Sequence, residues 1–125
     1  DAPLRAAATA VLESQLFTGC DAGRVSLLDR RRLDACITCE QVHQAALTSL
    51  CLAPLSTHGA PMLASASEDN TATVVDPRDL QCTSRITAHS DFVRCAAWML
   101  SEEDSDQPVL LTAGWDKQLL RHDLE

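Results

Sequence analysis

The sequence has little positive charge and no long apolar run. It contains one lysine, Lys117, and its 125 residues carry a formal net charge of −8. An acidic chain is poorly suited to follow a phosphate backbone, so we expect no direct nucleic-acid binding and favour basic partners. No apolar run approaches the roughly 18 residues of a membrane helix, so no membrane association is expected.

The sequence also lacks the patterns of a metal centre or a catalytic site. Cys36 and Cys39 form a C-x-x-C pair, but no second pair and no pair of histidines follows at a zinc-binding spacing. Cys51 and Cys95 lie in predicted strands where small buried residues belong, so we expect six free thiols and a reducing compartment. Every serine, histidine and aspartate that could form a nucleophile site has a place in the repeat described next. We therefore predict no enzyme activity, no metal and no cofactor.

What the sequence does contain is a unit repeated at a spacing of 47 residues. The three registers that show it are Thr18, Ser65 and Thr112; Asp29, Asp76 and Asp123; and Ala22, Asp69 and Asp116. Each unit has the pattern of an opening turn, a strand, a loop, a strand, a tight turn and a strand that ends at an aspartate. Repeats of this length, with four short strands each, are typical of WD repeats in a β-propeller. No apolar stripe of helical period lasts beyond one turn, so almost no helix is predicted.

The repeat divides the chain into three predicted blades. A degenerate repeat covers residues 1–39, a second covers 40–87, and a third, whose outer strand is missing, covers 88–125. A propeller needs about four to eight blades to close a ring. The prediction is therefore an all-β, three-bladed arc of a WD-repeat propeller that belongs to a longer protein.

Two of the units contain most of a buried polar relay. In a WD repeat the opening histidine bonds the aspartate of the tight turn and a hydroxyl of the second strand, and this hydroxyl reaches a tryptophan of the third strand. The predicted relay residues are His43, Ser65 and Asp69 in the second unit and His89, Thr112 and Asp116 in the third. The tryptophan position holds Val75 and His122, and the first unit has Leu28 there and Ala22 at the tight turn. No unit is therefore expected to carry the complete relay.

The candidate partner-binding residues lie in the third unit. Trp115 falls in the turn after the second strand, where it is predicted to project at the rim as an anchor for a partner; packing on the adjacent blade is the alternative. Asp91 and Phe92 of the opening turn belong to the same candidate set. A second set consists of four carboxylates, Glu102, Glu103, Asp104 and Asp106. They form either a solvated loop or a landing site for Arg/Lys-rich tails.

Several motifs together resemble the WD-repeat subunit of the methylosome, the propeller partner of the symmetric-dimethylating protein arginine methyltransferase. They are GRVSLLD, LASASEDNTATVVD, AHSDFVRCAAW and LLTAGWDKQLLRHD, and the resemblance runs from about Asp21 to Asp123. The loop from Leu100 to Gln107 and the basic run Arg30–Arg32, interpreted as a solvated turn, depart from that family's pattern.

The resemblance implies the closing three blades of a seven-bladed ring. It implies a non-catalytic scaffold, cytoplasmic and nuclear, that binds the methyltransferase and presents Arg-rich substrates such as histone tails and spliceosomal Sm proteins. The alternative is another WD-repeat adaptor, for example a ubiquitin-ligase substrate receptor or a ribosome-assembly factor. An enzyme or metal protein built on Cys36 and Cys39 is a third, less favoured interpretation.

Overall fold

The computed structural model describes residues 8–12, 14–53, 62–100 and 108–123, which form eleven β-strands and their turns. These residues contain no helix, and so none that could cross a membrane. The prediction of an all-β chain is confirmed.

The strands form three antiparallel sheets, each ordered as in the sequence. The first sheet contains β1 (Ala8–Leu12), β2 (Gln15–Gly19), β3 (Arg24–Asp29) and β4 (Arg32–Gln41). The second contains β5 (Leu47–Leu52), β6 (Leu63–Ser67), β7 (Ala72–Val75) and β8 (Cys82–Ile86). The third contains β9 (Val93–Leu100), β10 (Pro108–Gly114) and β11 (Leu119–Asp123), with no fourth strand in the described part of the chain.

The turn between the second and third strands of each sheet uses the same backbone conformation. Gly23, Asn70 and Lys117 have φ angles of 83°, 71° and 65°, and they are separated by 47 residues in the sequence. This left-handed region suits glycine and is tolerated by asparagine, whereas a lysine there is strained. The repeat therefore fixes the backbone of the turn even where the side chain does not favour it.

Two apolar clusters join the three sheets. Between the first and second sheets, Phe17, Leu27 and Val42 pack against Leu63 and Leu80, and all five side chains are buried. Between the second and third sheets the buried residues are smaller, namely Ala64, Ala66, Ala72, Val74, Val93, Ala96 and Leu110. Since alanines leave room for close approach of two backbones, the second and third sheets pack tightly against each other.

The exposure of two cysteines differs from the prediction. Cys51 is half-buried and Cys95 is exposed, although both lie in first strands. In β9 the side chains of Ala96 and Trp98 face the second sheet, where the Ala96 N–H lies 3.5 Å from Ser49 Oγ and the Trp98 Nε1–H donates to Cys51 O at 2.8 Å. Successive side chains alternate between faces, so Cys95 is directed to the opposite face of the third sheet. All six cysteines are free thiols in the structure.

Candidate functional site

The relay of the second sheet is centred on His43, whose ring is fully buried. His43 Nδ1 donates to Asp69 Oδ2 at 3.0 Å, and this fixes the tautomer in which Nε2 accepts from Ser65 Oγ at 2.8 Å. Ser65 Oγ is in turn hydrogen-bonded to Thr73 Oγ1. The chain of hydrogen bonds thus runs from the tight turn through the opening histidine to the third strand of the sheet.

Asp69 accepts several hydrogen bonds that favour its charged form. Burial alone would raise its pKa, but donors from Thr71, from the Gln44 backbone N–H and from His43 outweigh burial and hold the pKa of Asp69 below its usual value. Burial also lowers the pKa of His43, even though Asp69 opposes this shift. The pair therefore consists of an anionic aspartate and a neutral histidine.

The third sheet contains the same arrangement with a different final member. His89 Nδ1 donates to Asp116 Oδ2 at 2.9 Å, and His89 Nε2 lies 2.7 Å from Thr112 Oγ1. Thr112 Oγ1 then lies 2.8 Å from Nε2 of His122. His122 therefore occupies the tryptophan position and makes the hydrogen bond that the tryptophan would make.

The sequence predicted no complete relay, but both chains of hydrogen bonds have a last member in the third strand. The sequence has Val75 at the tryptophan position of the second sheet, and no complete relay is expected there, but Thr73 pairs directly with Ser65 across β6 and β7. The alternation of strand residues would have indicated Thr73, since Thr73 and Val75 lie on the same face. His122 was located correctly and its ability to hydrogen-bond was not considered.

The first sheet has no relay in its described residues. Thr18, which corresponds to Ser65 and Thr112, is buried, and its hydroxyl has no hydrogen-bond partner in the part of the chain that the structure describes. Ala22 lies at the tight turn where the other sheets have an aspartate. That residues 1–39 form a degenerate repeat stays a prediction.

Because His43 and His122 have lowered pKa values, we expect the free energy of unfolding to fall in mild acid. Burial lowers the pKa of His122 and the nearby His89 lowers it further, and burial also lowers the pKa of His43. Since the unfolded chain then binds more protons than the folded chain, stability is complete above about pH 6.5 and is lost as the pH falls from there towards the folded-state pKa values. Urea unfolding at pH 7.5 and pH 5.5 should show a lower midpoint at pH 5.5.

The control for this prediction is His122→Gln, which keeps an N–H donor for Thr112 but does not titrate. This variant should lose part of the difference between the two pH values. Equal midpoints at pH 7.5 and pH 5.5 for the unmodified chain would contradict the prediction.

The candidate partner-binding residues of the third unit are close together in the structure. The ring centroids of Phe92 and Trp115 lie 5.1 Å apart, with an angle of 31° between the ring planes. The backbone N–H of Trp115 donates to the backbone O of Phe92 at 2.9 Å. Trp115 is nevertheless 57% exposed. The adjacent Asp91 is exposed, and its carboxylate accepts the Phe92 N–H at 2.7 Å.

Two charged residues that the sequence did not indicate extend this surface. Arg94 Cζ lies 5.0 Å from the ring of Trp115, a cation–π contact, and Arg94 Nη1 lies 3.5 Å from Glu68 Oε1 of the second sheet. Arg94 lies only two residues after Phe92, and this close spacing would have been a signal. The rim surface, defined as Glu68, Asp91, Phe92, Arg94 and Trp115, thus joins two sheets. The acidic set Glu102, Glu103, Asp104 and Asp106 lies outside the described residues.

The chain is similar in sequence to a known family and to two characterised proteins. The model of the "WD domain, G-beta repeat" family matches residues 35–76 and 80–120. The methylosome protein WDR77 of Xenopus laevis is 37% identical over 106 residues, which are 85% of this chain and 29% of that protein. The peroxisomal targeting signal 2 receptor of Schizosaccharomyces pombe is 32% identical over 77 residues, 62% of this chain and 23% of the receptor.

A solved structure gives the same result for the fold. A chain in the crystal structure of the mitotic checkpoint complex superposes with a TM-score of 0.72 at 25% identity, covering 90% of this chain and 33% of that chain. The present chain spans less than a third of the length of the two curated relatives described above.

Proposed function

Because the chain belongs to the WD-repeat family, we propose that it is a non-catalytic scaffold that binds a protein arginine methyltransferase. The predicted WD-repeat propeller fold is confirmed by the family model and by the solved structure. The similarity to the methylosome protein WDR77 along 85% of the chain is the observation that carries the methyltransferase proposal. On this proposal the three sheets are blades of a larger ring, seven-bladed as the resemblance implies.

The proposed substrates are basic proteins that the scaffold presents to the methyltransferase. A net charge of −8 favours Arg-rich chains such as histone tails and Sm proteins, because opposite charges steer their encounter. The acidic segment Glu102–Asp106 remains a predicted landing site for such tails. We also propose that the scaffold is present in the cytoplasm and the nucleus, where it would meet these substrates.

We assign the rim surface to methyltransferase binding. Its two aromatic rings are large and contact each other, and Trp115 also contacts Arg94, so little side-chain freedom is lost when a partner covers them. Exposed tryptophans and arginines are the residues that most often dominate the energy of a protein interface. The ion pair between Arg94 and Glu68 adds charge of both signs beside the rings.

The experiment is co-expression of the full-length protein with the methyltransferase, followed by measurement of the dissociation constant. Trp115→Ala should weaken binding by about 30-fold or more, the effect of a hot-spot residue. Ile37→Thr, which changes an exposed apolar residue of the first sheet, should leave the constant unchanged. Equal affinities for Trp115→Ala and the unmodified protein would contradict the assignment of the rim surface. Absence of any complex with the unmodified protein would contradict the proposed function itself.

A further inference from the structure

The outer strand of the first sheet, β4, differs from its counterpart in the second sheet. It contains ten residues, whereas β8 contains five. In the described part of the chain β4 pairs with β3 alone, so the backbone groups along its other edge are available for hydrogen bonds. Proteins commonly keep such edges short, because a long free edge accepts an additional strand.

A bulge in β4 directs one large apolar side chain outward. Leu27 pairs with Thr38 and Leu28 with Cys36, so Ile37 is an extra residue without a partner in β3. Such a bulge re-aims the side chain at the extra position. Ile37 is 61% exposed, the second-highest exposure among the large apolar side chains that the structure describes.

The second sheet shows that this exposure does not come from an uncovered face between sheets. The extra residue of β8 is Thr83, because Val74 pairs with Ser84 and Val75 with Cys82. Thr83 is exposed although the second sheet has a neighbouring sheet on both sides, and its hydroxyl donates to Val74 O at 3.1 Å. The bulge position is therefore directed to solvent in both sheets.

Leu33 serves as the contrasting case. Its counterpart 47 residues later, Leu80, is buried between the first two sheets, so the exposure of Leu33 depends on what covers that face of the first sheet. The exposure of Leu33 is therefore no sign of a binding site. The exposure of Ile37, in contrast, follows from the bulge.

The turn before β4 carries more arginines than the turn before β8. Arg31 is held by Asp29 in the same way that Arg78 is held by Asp76, but Arg30 and Arg32 correspond to a proline and an aspartate, Pro77 and Asp79. Arg32 lies 3.8 Å from Asp34, and both side chains are about three-quarters exposed, so this ion pair is weak. Three of the ten cationic residues of an acidic chain thus stand together at the start of a long edge strand.

We propose that the free edge of β4 binds an extended, acidic segment of a partner protein by strand addition. Backbone hydrogen bonds along β4 would supply the affinity, an apolar side chain of the partner would contact Ile37, and its carboxylates would contact Arg30–Arg32. The second sheet lacks these features, so the site is specific to the first sheet. The site goes beyond the proposed methyltransferase scaffold, because it lies on a different sheet from the rim surface and needs no methyltransferase.

The test uses two fluorescent peptides of ten residues, each made of alternating valine and threonine and three glutamates. The glutamates stand at the N-terminus of one peptide and at the C-terminus of the other. One of the two orientations should bind the unmodified chain in an anisotropy titration, and versions with lysine in place of glutamate should not. Hydrogen exchange of the β4 amides that face the free edge should slow when the peptide binds. No binding by either acidic peptide would overturn the proposal.

The variants replace residues of the first sheet by their counterparts in the second. Ile37→Thr and Arg32→Asp should each weaken peptide binding at least five-fold. Met99→Thr, which changes an exposed apolar residue of the third sheet, is the matched control and should leave binding unchanged. Circular dichroism checks that each variant is folded. Unchanged affinity in Ile37→Thr, or equal binding of the lysine peptides, would overturn the proposal, and so would binding without slower exchange in β4.

Discussion

Gly23→Ala is expected to lower the free energy of unfolding by about 2–5 kcal/mol, because it combines backbone strain with a clash against backbone atoms. Gly23 has a φ angle of 83°, a conformation that alanine rarely adopts. A Cβ atom there would lie 2.2 Å from His43 O and 2.9 Å from Ala45 O, and neither atom can move without shifting the segment that connects the first two sheets. Urea unfolding followed by tryptophan fluorescence measures the effect.

The matched control is Lys117→Gly. Lys117 lies at the same place in the third sheet with a φ angle of 65°, so glycine there relieves strain and should stabilise the chain by about 0.5–1 kcal/mol. A loss of stability in Gly23→Ala together with a gain in Lys117→Gly would show that the turn conformation and the close approach of the backbone determine the change in stability. A loss of less than about 0.5 kcal/mol in Gly23→Ala would contradict the assigned role.

The connection at Gly23 also explains why the relay and the packing of the sheets depend on each other. Gly23 O accepts the backbone N–H groups of Val42 and His43 at 3.1 and 3.0 Å. The tight turn of the first sheet therefore positions the histidine that opens the relay of the second. A disturbance at Gly23 reaches His43 through two hydrogen bonds.

The spacing of 47 residues predicted the fold because the repeat is a repeat of local structure. Strand alternation, turn residues and small residues recur together, so the registers of Ser65 and Thr112 could be assigned from the sequence. The tight turns were predictable from Gly23 and Asn70, whose residue types favour a left-handed backbone. Lys117 carries no such signal, and only its register indicated the turn.

The features that the sequence did not reveal depend on tertiary contacts. Cys95 is exposed because neighbouring residues of β9 face the second sheet, and the residues of a strand do not show which face is covered. The extra residue in β4 changes which side chains share a face, and the bulge at Ile37 has no signal in residue type. The contact between Arg94 and Trp115 joins residues that are far apart in sequence.

The relay could be predicted in its residues but not in its completeness. The opening histidines, the hydroxyls and the aspartates follow from register alone. The last member differs between the two sheets, Thr73 in one and His122 in the other, because either side chain can reach the hydroxyl of the second strand. A hydrogen-bonded chain can therefore persist while the residue at one end changes, and this weakens the sequence signature more than the structure.

His43→Ala is the second substitution for which a large effect is expected, a loss of about 2–4 kcal/mol in the free energy of unfolding. The ring of His43 is fully buried, and its removal leaves a cavity as well as two polar groups, Asp69 and Ser65, that each lose a partner. Asp69 keeps donors from Thr71 and from a backbone N–H, which limits the loss on that side. Ser65 is buried and keeps only its hydrogen bond to a neighbouring hydroxyl among the side-chain contacts described.

The double substitution separates the relay from simple packing. Ser65→Ala alone should cost about 1–2 kcal/mol, because it breaks the hydrogen bonds to His43 and Thr73. If the relay acts as a unit, His43→Ala and Ser65→Ala together should cost less than the sum of the two single losses, by about 0.5–2 kcal/mol. The free energies come from urea unfolding of the three variants at pH 7.5, where His43 is neutral. Strict additivity would mean that His43 stabilises the second sheet by filling space, and that its hydrogen bond to Ser65 contributes nothing measurable.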